Sequence, residues 1–204
     1  HDVATESLAV RRSIGYLAEG VPLYKEHRVA EMLRFQGRLF GLPKKHIAAR
    51  TAEVLERVGL SDRARSLVGN LSKGMRQRLC LAKTLLHDPG FLILDEPAAG
   101  LDDAAAEAVV DVLRRLVRDG NTVLAVDHHP VLVRAADELV EMGPGSGPAG
   151  GTVVYQGPPQ GLGDTATGRV LRGEVASPRF EGSSRTTTLA GFSLDPVGVN
   201  VLTG

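Results

Sequence analysis

Four apolar residues, Phe91 to Leu94, run directly into the adjacent carboxylates Asp95 and Glu96. Such a run describes a buried strand that ends by delivering charge to a site. Side chains alternate across a regular strand, so neighbouring carboxylates reach one site only where the strand is ending, and Pro97 supplies that end. A carboxylate at a strand end suits a hard dication such as Mg²⁺ held beside phosphates, and a second carboxylate can orient and deprotonate an attacking water. Upstream lies Leu71-Ser72-Lys73-Gly74-Met75-Arg76-Gln77-Arg78, which puts Ser72 and Gly74 at a helix start, where free N–H groups and the helix dipole favour an anion. Downstream come Gly100-Leu101-Asp102 and Val126-Asp127-His128. Each segment alone has a plainer alternative: a solvated acidic turn, a serine or aspartate N-cap, a structural histidine at a strand end.

Taken in this order and spacing, the four segments resemble the Walker B, signature, D-loop and switch-histidine motifs of ABC-type ATPases, over at least residues 10 to 157. The resemblance implies ATP and Mg²⁺ as cofactors and a P-loop NTPase fold of the ABC ATPase kind, α/β with a helical subdomain. It implies Asp95 as the metal ligand and Glu96 as the catalytic base. His128 would contact the γ-phosphate as the switch residue, with His129 second because the motif expects a small polar or acidic residue there. Ser72 and Gly74 would close on the nucleotide of an opposing core, and Asp102 would bridge the two cores. Glu19 stands where the family usually has a glutamine that senses Mg²⁺, and an acid there can still ligate metal. Lys73 and Met75 depart from the common Gly and Gln of the signature.

The family's phosphate-binding loop, G-x-x-x-x-G-K-[ST], wraps backbone N–H groups around the phosphates and sends in a lysine. These 204 residues contain no Gly-Lys dipeptide. The opening His1-Asp2-Val3-Ala4 resembles the segment that comes after a P-loop, its helix and the next strand. The closing Val199-Asn200-Val201-Leu202-Thr203-Gly204 resembles the strand that leads into one. The expectation is a stretch between two such loops, from a tandem ATPase, a truncated gene model or a permuted chain, and inactive alone. Its division would be 1–142 as an ABC ATPase core lacking the P-loop segment, with a helical subdomain at about 28–87. A Gly/Pro-rich linker at 143–181 would come next, then the first strands of a second or permuted core at 182–204.

A content of 43% hydrophobic residues is enough for a packed core. Lys plus Arg and Asp plus Glu number 24 each, so no net field selects nucleic acid or an acidic membrane. The single cysteine, Cys80, excludes an internal disulfide and a cysteine zinc site, and reads as a small buried thiol. No run of about eighteen apolar residues marks a membrane span. A cytoplasmic place, peripheral to the inner face of the cell membrane, is the expectation.

Residues 11 to 17 read as a strand, and two helices come after it, from Val29 to Phe40 and about 44 to 59, with Gly41 and Pro43 between them. The signature opens a helix from about Ser72 to His87, stopped by Asp88-Pro89-Gly90. A helix from Asp102 or Asp103 to Arg118, a strand at 122–126, a helix at 131–136 and a strand at 138–142 complete the alternation. Alternating apolar strands and helices indicate a parallel α/β core. Residues 143 to 168 hold nine Gly and four Pro, which predicts loop apart from Val153-Val154-Tyr155.

The wording of Phe35-Gln36-Gly37-Arg38-Leu39-Phe40-Gly41-Leu42-Pro43 resembles exporter-type ABC ATPases, whose membrane subunits are separate chains. That resemblance implies two partners, a second ATPase core and a membrane transport subunit. The stretch His128-His129-Pro130, Met142 to Gly147 and Gly150 to Gly157 instead resembles the ABC ATPase of excision repair, the ATP-binding component of the excinuclease, for which DNA would be the partner. Relatives of that repair ATPase insert zinc-binding cysteine modules, and the short stretch between Leu60 and Ser72 has no room for one. Transport is therefore the favoured expectation.

Overall fold

The computed structural model describes residues 1–143, 151–174 and 198–203. Five parallel strands and one antiparallel strand make a single six-stranded sheet. In chain order the elements are α1 (Ser7–Ser13), β1 (Ile14–Leu17), α2 (Val29–Leu39), α3 (Lys44–Arg57), α4 (Lys73–Thr84), β2 (Phe91–Asp95), α5 (Asp103–Arg118), β3 (Thr122–Val126), α6 (Pro130–Ala135), β4 (Glu138–Gly143), β5 (Thr152–Gly157), α7 (Ala166–Leu171) and β6 (Val199–Thr203). Across the sheet the order is β1-β2-β3-β6-β4-β5. The last strand in sequence thus fills a central slot, with Val123 opposite Val199 on one side and Leu139 opposite Val201 on the other. All five residues of β6 are buried, as expected for a strand covered on both faces and paired on both edges.

The core is aliphatic: Leu92 and Leu94 of β2, Val123 and Ala125 of β3, and Val109, Val112, Leu113 and Leu116 of α5 are within 1% of full burial. The apolar stripe of α5 at spacings of three and four is what carries it onto the sheet. Helices α2 and α3 pack on each other and on α4, burying Leu33, Val54 and Leu55 in the same cluster as the sheet. Arg50 of α3 ties this helix to the turn between α4 and β2. Its guanidinium donates to Leu85 O at 2.6 Å and Leu86 O at 3.1 Å, carbonyls just past the end of α4, and to Asp88 at 2.7 Å.

Two expectations need correction. Residues 11–13 are not strand: they end α1, a seven-residue helix with no buried residue, because its outward polar positions leave nothing to pair on a sheet. The glycine-rich stretch is not all loop. Its strand is longer than Val153–Tyr155, Thr152–Gly157 lying antiparallel to β4, and Ala166–Leu171 is a helix capped by Thr165, whose Oγ1 accepts from Gly168 N. Local glycine content is overridden there by pairing with an existing sheet edge. The Met142–Gly147 turn lies largely outside the described residues, as do 175–181 of the expected linker and 182–197 and Gly204 of the expected second core.

Candidate active site

Parallel strands put all their carboxyl ends on one edge of the sheet, and in open α/β sheets ligands bind in the crevice outside that edge. Glu19 lies in the turn after β1, Asp95 ends β2, Glu96 comes directly after it, Asp127 and His128 succeed β3, and Thr203 ends β6. Four separate strands therefore deliver side chains to one rim. Of the residues expected from sequence, Glu19, Asp95, Glu96 and His128 come together there.

Glu96 is the centre of the group. Its backbone leaves the sheet with φ +47, a left-handed conformation that costs an ordinary side chain about 1 kcal/mol, and its N–H donates to Val126 O at 2.8 Å. The turn breaks the alternation of the pleat, which lets Asp95 and Glu96 serve the same rim. Burial pushes the Glu96 carboxyl above the ordinary glutamate range, helped by the negative charges of Glu19, Asp127 and Asp95 and opposed by His128. A raised carboxyl is a stronger base, as general-base duty requires.

Ser72 and Gly74 stand at the start of α4, away from this group in sequence. Ser72 Oγ accepts from Met75 N at 3.2 Å as the N-cap. A Cβ on Gly74 would stand 2.9 Å from the Ala105 Cβ, so glycine here permits close approach of α4 to α5. Asp102 caps α5, accepting from Ala105 N at 2.8 Å, and its side chain is exposed.

Residues 1–99 match the family model described as ABC transporter. The chain is 34% identical over 157 residues to the ABC transporter ATP-binding protein NatA of Bacillus subtilis, a match covering 76% of this chain and 62% of NatA. It is 40% identical over 141 residues to the daunorubicin resistance ATP-binding protein DrrA3 of Streptomyces coeruleorubidus, covering 69% of this chain and 44% of that protein. Among solved structures, cbiO1 from Clostridium perfringens, part of the ABC transporter complex cbiONQ, aligns with a TM-score of 0.63 and 25% identity over 75% of this chain and 60% of its own. The chain is similar to the ATP-binding proteins of ABC transporters.

The chain spans 62% of the length of NatA and 44% of that of DrrA3. Relatives named for resistance, for Nod factor export and for methionine import all match, so the likeness runs across transport directions rather than to exporters in particular. None of these relatives is named for DNA repair, and the excision-repair resemblance gains no support from them.

Whether the carboxylates suit Mg²⁺ is a matter of donor set. Three acids bear on Glu96, a charge excess that a dication would neutralise, yet no three metal-binding side chains among the described residues stand within one ion's reach. That suits Mg²⁺, which keeps waters and takes one or two carboxylates together with phosphate oxygens. The anion-binding half is different: the 204 residues contain no Gly-Lys dipeptide and so no G-x-x-x-x-G-K-[ST] loop.

Sequence reasoning missed Asp127. It is 3% exposed, and both its oxygens are used: Oδ2 accepts from Ala98 N at 2.7 Å and Oδ1 from His129 N at 2.8 Å. An acid directly before His128 was the available signal. His129 is also placed: Nε2 lies 3.3 Å from Leu101 O and Nδ1 accepts from Val131 N, which sets it against the loop before α5 rather than the rim.

Proposed function

We propose that the chain belongs to the ATP-binding and hydrolysing subunit of an ABC transporter, exporter-like in its helical part. The observation that carries this is the convergence of Glu19, Asp95, Glu96 and His128 on one rim at the carboxyl ends of β1, β2 and β3, beside the end of β6. In this reading Glu96 takes the proton of an attacking water and Asp95 holds Mg²⁺, with Glu19 as a further oxygen donor. His128 faces the terminal phosphate. The metal's contribution is to neutralise charge on the transferring phosphoryl group, a reaction governed by positioning and electrostatics.

Ser72, Gly74 and Asp102 then serve a second ATPase core that closes face to face on this one. Exposed Tyr16, Tyr24, Phe35, Leu39 and Phe40 offer the apolar face for a membrane transport subunit. No helix among the described residues is long and apolar enough to cross a membrane. Attachment at the cytoplasmic face of the membrane would come through that subunit.

The division of the chain is part of the same reading. In this reading 1–142 supply most of the core, and β5 and β6, which fall in the expected linker 143–181 and the expected further or permuted core 182–204, add strands to the same sheet. The seating of β6 between β3 and β4 supports a permuted arrangement, since its carboxyl end runs to the rim where a phosphate-binding loop is needed. Alone, the 204 residues do not hydrolyse ATP.

Calorimetry and turnover assays test this. The 204-residue chain is expected to bind no ATP at micromolar concentration, and a chain carrying a G-x-x-x-x-G-K-S loop after Gly204 is expected to bind and hydrolyse it. In that extended protein Glu96→Gln keeps binding and loses a factor of about 10² to 10⁴ in turnover, whereas Asp95→Asn weakens Mg²⁺-dependent binding. ATP turnover by the unextended chain, or equal turnover in Glu96→Gln, would overturn the proposal.

A further inference from the structure

Among the positions that depart from the motif pattern around them, Lys73 in the signature and His129 after the proposed switch histidine share a destination. Both side chains turn to the same short loop, Ala98 to Asp102. Lys73 Nζ donates to Gly100 O at 2.8 Å. The loop is shaped for that contact: Gly100 has φ +59, and a Cβ on it would collide with the Lys73 ammonium. His129 Nε2–H donates to Leu101 O at 3.3 Å, with Nδ1 occupied by Val131 N–H, so both ring nitrogens are satisfied by the neutral tautomer. The third tie is the buried Asp127 carboxylate, which holds Ala98 N–H and His129 N–H together.

The ties come from two places in the chain. Lys73 begins α4, Asp127 and His129 both lie in the segment that leaves β3 for α6, and the loop itself joins the end of β2 to the cap of α5. An exposed lysine bonded to a carbonyl contributes little alone. Here it closes a loop already pinned at Ala98 and Leu101, where the ordering entropy of the backbone is largely met by the other two.

We propose that Lys73, Asp127 and His129 are positioning residues that clamp the Ala98–Asp102 loop, so that the start of α4, the D-loop and the switch segment move as one body. A contact made by an opposing core at Ser72 or Asp102 would thereby be felt at His128, and the reverse. This step rests on the roles proposed for Asp102 and His128, but the clamp itself does not need nucleotide and is testable without it.

The experiment is residue-resolved amide hydrogen exchange and histidine-ring NMR on the 204-residue chain, comparing wild type with Lys73→Met, His129→Ala, His129→Gln and Asp127→Asn. If the clamp is one body, Lys73→Met raises exchange not only at Leu101 but also at Ala98 and His129, by about tenfold or more, the scale of one lost hydrogen bond. The same variant shifts the His128 ring signals, and His129→Gln, which keeps a donor for Leu101 O, restores most of the protection lost in His129→Ala. Changes confined to each variant's own partner, with His128 unmoved by Lys73→Met, would overturn the proposal. Should Asp127→Asn fail to fold, the variants at exposed Lys73 and half-buried His129, Lys73→Met and His129→Gln, still decide it. A coupled loop in a protein whose extended form never binds ATP would leave the clamp standing and remove only the functional reading.

Discussion

Replacing Arg50 separates a structural arginine from the surface ion pairs around it. Its side chain is 14% exposed, whereas Glu53 and Asp88, its charged partners, are 44% and 73% exposed. Exposed ion pairs contribute about 0–1 kcal/mol, so Glu53→Gln and Asp88→Asn should each cost little. Asparagine also tolerates the φ +60 that residue 88 adopts, so the backbone does not confound the comparison. The carbonyl bonds are another matter. Leu85 O, which also accepts from Asp88 N at 3.1 Å, and Leu86 O close the end of α4, and a cation there also meets the negative end of the helix. Two charge-assisted bonds at about 1.5 kcal/mol each and roughly 0.5 kcal/mol from the helix end give about 3.5 kcal/mol for Arg50→Ala. In a domain of this size that lowers the melting midpoint by roughly 7–14 °C. Arg50→Lys keeps the charge but not the planar fork, and is expected to recover less than half. Thermal and urea unfolding of the four variants measure this. If Arg50→Lys matches wild type, or Glu53→Gln costs as much as Arg50→Ala, the carbonyl-capping argument is wrong.

Two further outcomes come from the site's geometry. Because the folded state raises the Glu96 pKa, it takes up a proton more readily than the unfolded chain, so this group's contribution is greatest below the ordinary glutamate range and falls as pH rises through the raised value. Glu96→Gln should therefore melt above wild type at neutral pH, with the gap closing on acidification, and an unchanged gap between pH 7 and about 4 would refute that. Gly74→Val should lose roughly 1–3 kcal/mol from the collision with Ala105, and Ala105→Gly in the same chain should recover part of it. Additive effects in that double-mutant cycle would show that the two helices do not meet there.

The strand carrying Asp95 and the histidine behind β3 were legible in the sequence because apolar runs ending in charge describe strands directly. Most helices were legible for a similar reason: the stripe on α5 and the caps at Ser72 and Asp102 are local signals. What escaped depends on distant partners. Thr152–Gly157 is strand because β4 offers an edge, which a count of glycines cannot reveal. The service of Asp127 to Ala98 spans 29 residues and the contact of Lys73 with Gly100 spans 27, so both became visible only when the strands were side by side. The placing of β6 was half legible: its composition says buried strand, but only pairing says between which neighbours.

That placing has a consequence for how the chain matures. Val199 pairs with Val123 and Asn200 with Glu138, so the middle of the sheet is completed by residues that leave the ribosome more than sixty positions after the strands they join. Until then β3 and β4 present two facing, apolar, hydrogen-bond-hungry margins with nothing between them, the kind of surface on which other nascent chains pair. Closing so long a loop is slow, although the added entropy cost grows only with the logarithm of its length. The nascent polypeptide therefore has a window of vulnerability that stays open until β6 has been made, and chaperone dependence during synthesis, rather than instability once folded, is the trait such an arrangement imposes.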